Sequence, residues 1–430
     1  MPLDPVETLQ KLIQTASVNP MGRDVSGPIY GESRMTALLG QICEGQCWPY
    51  SHQRVDEGRF NLLAFVEGSP APQDGGELIL WDVHQDTVPV DGMTVEPFGG
   101  EVRDGRVYGR GACDVKGSMA AMLAALSRLK EPSPNPSLKG RGSEKRPTIV
   151  LACTVNEECG FTGAKLLVRG WTDSEMLPPP SGSEQANEMA GAAISARLCR
   201  TRPDVAIVAE PTQFDVVVAH QGAVRWRCHT LGRAAHTSRP DQGVNAIYAM
   251  AQIIQAIERY NARLGKTAPE HPLCGRPSVC VSTIHGGVGI NTVPERATIE
   301  IDRRLGPDEQ PTAAYNEITQ FVREHADIGQ CRIEHDLPFM ASGGLSDKQN
   351  RPLAERVAGL VQNAGRRSEL VGVPYGTDAA VVSATDVPTV VFGPGSIAQA
   401  HTADEFIEID QLQFATEIFY RIACGELQRS

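Results

Sequence analysis

The chain has 430 residues, of which 41% are hydrophobic, 21% charged and 5% aromatic, with a net charge of −12 at pH 7. That length suits two or more domains, and the composition excludes a disordered chain or a coiled coil. The acidic balance repels a polyanion, so nucleic acid is not an expected partner.

In chain order, the opening MPLDPVETLQKLIQ lacks a basic start and an apolar core, so it does not read as a secretory signal. No later run approaches the ~18–20 apolar residues that span a bilayer. No membrane association and a cytoplasmic location are expected. Leu78-Ile79-Leu80-Trp81 with Val83 predicts a buried strand, as do TIVLAC at 148–153, VAIVA at 205–209 and PTVVF at 388–392. A helix with Met119, Met122, Leu123, Leu126 and Leu129 on one face lies between the first two. Strand–helix alternation of this kind predicts an α/β fold, a mostly parallel sheet sandwiched by helices. The middle third differs. Val224, Trp226, Cys228 and Thr230 alternate with polar residues, as do Ala297, Ile299 and Ile301, and Ile247, Met250, Ile254 and Ile257 form an amphipathic helix between them. The expected organisation is a catalytic domain of residues 1–215 and 337–430 with a small α+β domain, 216–336, inserted as lid and dimerisation module. Glu131–Pro147 and Pro178–Asn187 are Pro- and Ser-rich and read as surface loops.

Eleven cysteines cannot all pair, which suits a reducing compartment. No C-x-x-C occurs, so a thiolate zinc site is not expected. Cys113, Cys153 and Cys159 read as small hydrophobes.

Polar residues collect after the apolar strands. His84 and Asp86 follow the first, Glu157 and Glu158 the second, Glu210 the third, and His401 lies beyond a Gly-Pro-Gly loop after the fourth. Asp114 sits at the mouth of the Met119 helix. Ligands in open α/β sheets bind outside the carboxyl ends of strands, so these residues can converge. Taken singly, Asp114 is a helix N-cap, His84 with Asp86 a surface pair, and Glu157-Glu158 a solvated pair. Taken together, so many carboxylates beside two histidines repel one another unless cations lie between them, and imidazole with carboxylate suits zinc, cobalt or manganese.

The segments VHQDTVPVDG, YGRGACDVKGSMAAML, NEECGFTGAKLL, AEPT, GRAAHTSRPDQGVNAI, GINTVPERATIEIDRR, YGTDAA and FGPGSIAQAHTADEFI occur in this order. In them the chain resembles the co-catalytic zinc amidohydrolases that include acetylornithine deacetylase, succinyl-diaminopimelate desuccinylase, aminoacylase and glutamate carboxypeptidase of the G type. Val83 stands where many members have Gly. The resemblance implies two divalent ions per chain, zinc first, with cobalt or manganese as alternatives. Asp114 would bridge them, His84 and Glu210 completing one shell, Glu158 and His401 the other. Asp86 would hydrogen-bond His84 and set its tautomer. Glu157 would be the general base. The Asp114–Val115 bond would be cis.

The same resemblance makes His236 the oxyanion donor, in its own chain's site or, as often in the family, in that of the partner subunit of a homodimer. Asn291 and Arg304, or Arg303 beside it, would grip the substrate carboxylate. Asn245 would contact substrate or else cap the Ile247 helix. Gly376 and Thr377 would line the pocket or form a turn, with Asp378 beside them. The implied activity is cleavage of a small N-acyl amino acid, acetylornithine deacetylase-like, in amino-acid biosynthesis. The alternatives are desuccinylation, or a dipeptidase or glutamate carboxypeptidase on the same site. Carbamoyl-amino-acid hydrolases place a histidine where Glu210 stands. From another class, a non-catalytic peptide- or amino-acid-binding relative need not keep all these residues.

Overall fold

A computed structural model describes residues 1–130, 145–172 and 200–428. Of the two Pro- and Ser-rich stretches, only 145–147 belongs to the described residues; the rest lies outside them. The chain divides into two compact units, 1–218 with 347–371 and 377–430, and 219–346 with 372–376.

The first unit is built on an eight-stranded sheet. The four apolar runs occupy its centre in the spatial order Thr148–Thr154, Leu78–His84, Val205–Val208, Thr389–Val391, each parallel to its neighbour. All their residues are buried, because helices cover both faces of a parallel sheet and leave no polar face. Arg59–Val66 and then Tyr50–Asp56 extend one side in antiparallel fashion. Val216–His220, antiparallel to Thr389–Val391, and then Leu370–Val373 extend the other. The Val216 strand therefore lies in the large sheet, and the division between the units falls within it at 218/219, where 215/216 was expected.

The helix Lys116–Ser127 was expected to bury one face; instead all 12 residues are buried. Helices Pro5–Gln14 and Ile409–Ala423 pack against it. A helix apolar all round is a core helix, and each fully buried Leu or Met contributes about 1.5–3 kcal/mol. Pro5–Gln14 starts where Asp4 accepts the Val6 and Glu7 amides, and it buries Leu9, Leu12 and Ile13.

In the second unit the strands Ser278–Gly286, Arg296–Leu305, Gly222–Leu231 and Arg332–His335 lie side by side in that order. Met340–Ser342 also pairs with Gly222–Leu231, so the unit runs past 336 to 346. Val224, Trp226, Cys228, Ile299 and Ile301 pack one face of the sheet against Met250, Ile253 and Ile257 of helix Ala246–Thr267. Ile247, expected on that buried stripe, is 38% exposed and Ile253 takes its place in the core. On the other face Arg225 pairs with Asp302 at 3.3 Å and Arg227 with Glu300 at 3.0 Å. Alternation along these strands thus separates an apolar from an ion-paired face. No helix among the described residues is long and apolar enough to cross a membrane.

Candidate active site

All the expected metal-ligating residues lie in the first unit, at or beyond the carboxyl ends of its central strands. His84 closes the Leu78 strand. Its Nδ1 lies 2.9 Å from the backbone carbonyl of Asp86, which can only accept. Nδ1 therefore carries a proton, and Nε2 is the atom turned to the acids, a donor when the ring is protonated and a lone pair when a cation takes its place. Nε2 stands 3.1 Å from Asp114 Oδ1 and 4.0 Å from Glu210 Oε1. The other Asp114 oxygen, Oδ2, lies 3.3 Å from His401 Nε2, which is also 3.3 Å from Glu158 Oε2. One carboxylate thus turns one oxygen to each histidine.

Facing acceptors at such distances need a proton or a cation between them. His84, Asp114 and Glu158 have ligand atoms within 4.8 Å of one another, and so do His84, Glu157 and Glu210. Glu158 Oε1 is buried with no hydrogen-bond partner. This donor set of imidazole nitrogens and carboxylate oxygens fits divalent zinc, cobalt or manganese. Burial pushes the carboxyls of Glu157 and Glu210 well up, and neighbouring acids add to it. Burial opposes ionisation of Asp114 too, but the hydrogen bonds to His401 and His84 win and hold it low. Its bonds to Asp114 and Glu158 raise His401 to about 10.

The Asp86 carboxylate does something other than expected. Its Oδ1 stands 3.7 Å from His84 Nδ1, and the carbonyl makes the histidine contact instead. The carboxylate accepts the amides of Glu157 at 3.1 Å and Glu158 at 3.2 Å, holding the acidic turn.

Glu405, unread in the sequence, is 0% exposed. It accepts from Arg110 Nη1 at 2.6 Å and from the amides of Gly111, Cys113 and Asp114 at 3.1, 2.9 and 3.0 Å. It ties the His401 loop to the Asp114 loop, and the Asp114–Val115 bond is cis. Asp82 and Asp378 were missed as a pair. Thr154 Oγ1 lies 2.9 Å from one and 3.0 Å from the other. A hydroxyl has one proton to donate, so at least one of these buried carboxyls keeps its own.

The remaining candidates are distributed between the units. Thr377 is buried, its hydroxyl accepting the Ala379 amide at 3.2 Å, which is the turn reading; Gly376 directly precedes it. In the second unit Asn245 Oδ1 accepts the Ile247 and Tyr248 amides, so it caps the helix, one of the two roles expected of it. Arg303 is 0% exposed and paired with Glu309 at 2.8 Å, which removes it as a carboxylate grip. Arg304 keeps 31% side-chain exposure and pairs with Asp302 at 3.1 Å. His236 is exposed and its Nδ1 accepts the Ser238 amide at 3.1 Å, leaving Nε2 as the donor. The Thr237 amide donates to the Asn291 carbonyl at 3.1 Å, so His236 and Asn291 are neighbours. Arg304 is not with them. His236 pairs with Thr292, before the start of the Arg296–Leu305 strand, and Arg304 lies near its far end, about 27 Å along at 3.4 Å per residue.

Comparison with known proteins agrees with the arrangement. The pattern of Peptidase family M20/M25/M40 matches residues 80–424. An acetylornithine deacetylase from Photorhabdus laumondii is 28% identical over 416 residues, 94% of this chain and 92% of that one. A probable succinyl-diaminopimelate desuccinylase from Staphylococcus epidermidis is 27% identical over 404 residues, 87% and 88% of the two chains. An M20 family metallo-carboxypeptidase from Sulfolobus solfataricus shares the fold with a TM-score of 0.72 at 15% identity, over 99% of this chain and 100% of that one. With the family pattern spanning most of its length, the chain belongs to Peptidase family M20/M25/M40 and is a hydrolase of amide bonds.

Proposed function

We propose that the protein removes the acyl group from a small N-acyl amino acid, in the manner of an acetylornithine deacetylase, using two divalent ions, zinc first. The observation that carries this reading is the Asp114 carboxylate turned between His84 and His401, with Glu157 buried beside them. His84, Asp114 and Glu210 would hold one ion, and Asp114, Glu158 and His401 the other. When bound, the ions supply positive charge to the scissile carbonyl and acidify the attacking water. Glu157 takes the proton from that water and returns it to the departing amine. Its amide, fixed to Asp86, keeps the carboxylate in reach. His236 donates from Nε2 to the oxyanion, and Arg304 receives the substrate's free carboxylate.

The spacing in the second unit supports a homodimer. Arg304 lies about 27 Å along its strand from Arg296, and His236 pairs before that strand begins, a spread longer than a small N-acyl amino acid. His236 with Asn291 of one protomer and Arg304 of its partner then serve one substrate. The Ser278–Gly286 strand, at the sheet edge with Ile284 55% exposed, offers the surface for pairing.

The test of substrate is a panel with zinc- or cobalt-loaded protein: N-acetylornithine, N-succinyl-diaminopimelate, N-acetylmethionine and simple dipeptides, scored by kcat/KM. N-acetylornithine is expected to lead. A lead by the succinyl substrate or a dipeptide would move the assignment within the family, and no turnover of any would favour a binding protein. Shared sites are tested by mixing inactive His236→Ala with inactive Glu157→Gln. Freely exchanging subunits should recover about a quarter of parental activity, since about half the dimers are hybrids with one intact site. No recovery despite demonstrated exchange would confine His236 to its own chain.

A further inference from the structure

The tandem Glu157-Glu158 turn has a support that its own residues do not explain. Asn156, just before it, is left-handed at φ 61°, a conformation that asparagine tolerates better than most residues. Its amide donates to Glu32 Oε1 at 3.3 Å. Its side-chain oxygen accepts from Arg59 Nη1 at 2.9 Å and from Asn19 Nδ2 at 3.0 Å. Asn19 Nδ2 also donates to Asp86 Oδ2 at 2.7 Å, the carboxylate that holds the Glu157 and Glu158 amides. Arg59 in turn grips Glu32 with Nε at 2.9 Å and with Nη2. Glu32 is 0% exposed, and the Arg59 side chain 18%.

We propose that the Arg59–Glu32 ion pair, acting through Asn156, is a positioning device for Glu157 and Glu158. The turn needs one. Several carboxylates crowd this buried site, and their repulsion would swing a loosely held acidic pair apart. A clamp built from a paired cation and anion adds rigidity without adding net charge beside the ions. Asn156 is its hub, tied to Glu32 and Arg59 on one side and through Asn19 to Asp86 on the other. Partners one step removed from a metal are worth about 10- to 100-fold in metal affinity or activity, and that is the scale expected here.

The inference rests on Glu158 as a ligand and Glu157 as the base, so its test includes a readout that needs no substrate. Metal-free protein is titrated with Co²⁺ and followed by its visible absorption. Asn156→Gly keeps the left-handed backbone and the amide bond to Glu32, and deletes the side-chain bonds to Arg59, Asn19 and Thr162. It is expected to weaken at least one Co²⁺ site about 10- to 100-fold and to lower kcat by a similar factor with KM nearly constant.

Arg59→Met with Glu32→Leu removes both charges together, so no orphaned charge is left to unfold the protein. It should be more stable than Arg59→Met alone yet show the same loss of Co²⁺ affinity. Parental Co²⁺ affinity in either Asn156→Gly or the double variant would overturn the clamp. If the parent binds Co²⁺ but cleaves none of the panel, the substrate reading fails while the clamp is still measured.

Discussion

A Glu157→Gln variant is expected to hold its full complement of divalent ions and to lose about 10²–10⁴-fold in kcat. The carboxamide matches the carboxylate in shape, and its backbone amide keeps the bond to Asp86, so the site geometry survives. What disappears is the carboxylate proposed to accept the proton. In the protein without ions, burial is the main cause that raises the Glu157 carboxyl; His84 opposes it, and Glu210, Asp378 and Glu158 add to it. Cationic charge beside these acids acts in the opposite sense and favours the ionised form that a base requires. Elemental analysis and steady-state kinetics on one preparation settle the matter. Unchanged metal content with kcat within tenfold of the parent would show that another group moves the proton.

Much of this site was legible because its carriers are the most regular parts of the chain. The Leu78, Thr148, Val205 and Thr389 strands are buried on both faces and so read as unbroken apolar runs, each pointing at the residues that follow it. Val216–His220 is just as apolar but abuts Gly222–Leu231, and composition does not show that the first pairs in one sheet and the second in another. The resemblance narrowed the carboxylate grip to Arg303 or Arg304. Alternation along the strand separates them, since Arg303 shares the inward face with Ile299 and Ile301.

The supporting polar residues were harder to read because their roles depend on contacts distant in sequence. Glu405 reaches residues nearly 300 positions earlier, and Glu32 reaches Asn156 across 124 positions. No local periodicity encodes either contact. Asp86 was expected to hydrogen-bond His84, and which of its groups touches the ring, here the backbone carbonyl, is a matter of rotamer and turn geometry.

Replacing Asp114 should have the broadest effect, because its two oxygens face different histidines. Asn at 114 keeps one oxygen and turns the other into an NH₂, which donates and cannot ligate a cation. It also removes one negative charge from the centre of the site. If Asp114 joins the two ions as proposed, one ion would lose a donor atom outright, and the other would be left with a neutral amide oxygen in place of a carboxylate. Both affinities are therefore expected to fall, by more than the 10- to 100-fold typical of losing an outer partner. Turnover should fall at least as far as in Glu157→Gln, with the difference that added metal restores part of it. The backbone at 114 remains held by Glu405, but the pairing with His84 and His401 that holds the Asp114 carboxyl low is lost, so the metal-free protein should be less thermally stable at neutral pH. Dialysis followed by elemental analysis separates the possible outcomes. Loss of both ions supports the bridge, and loss of one assigns Asp114 to a single ion. Two ions retained per chain would remove it from the metal centre altogether.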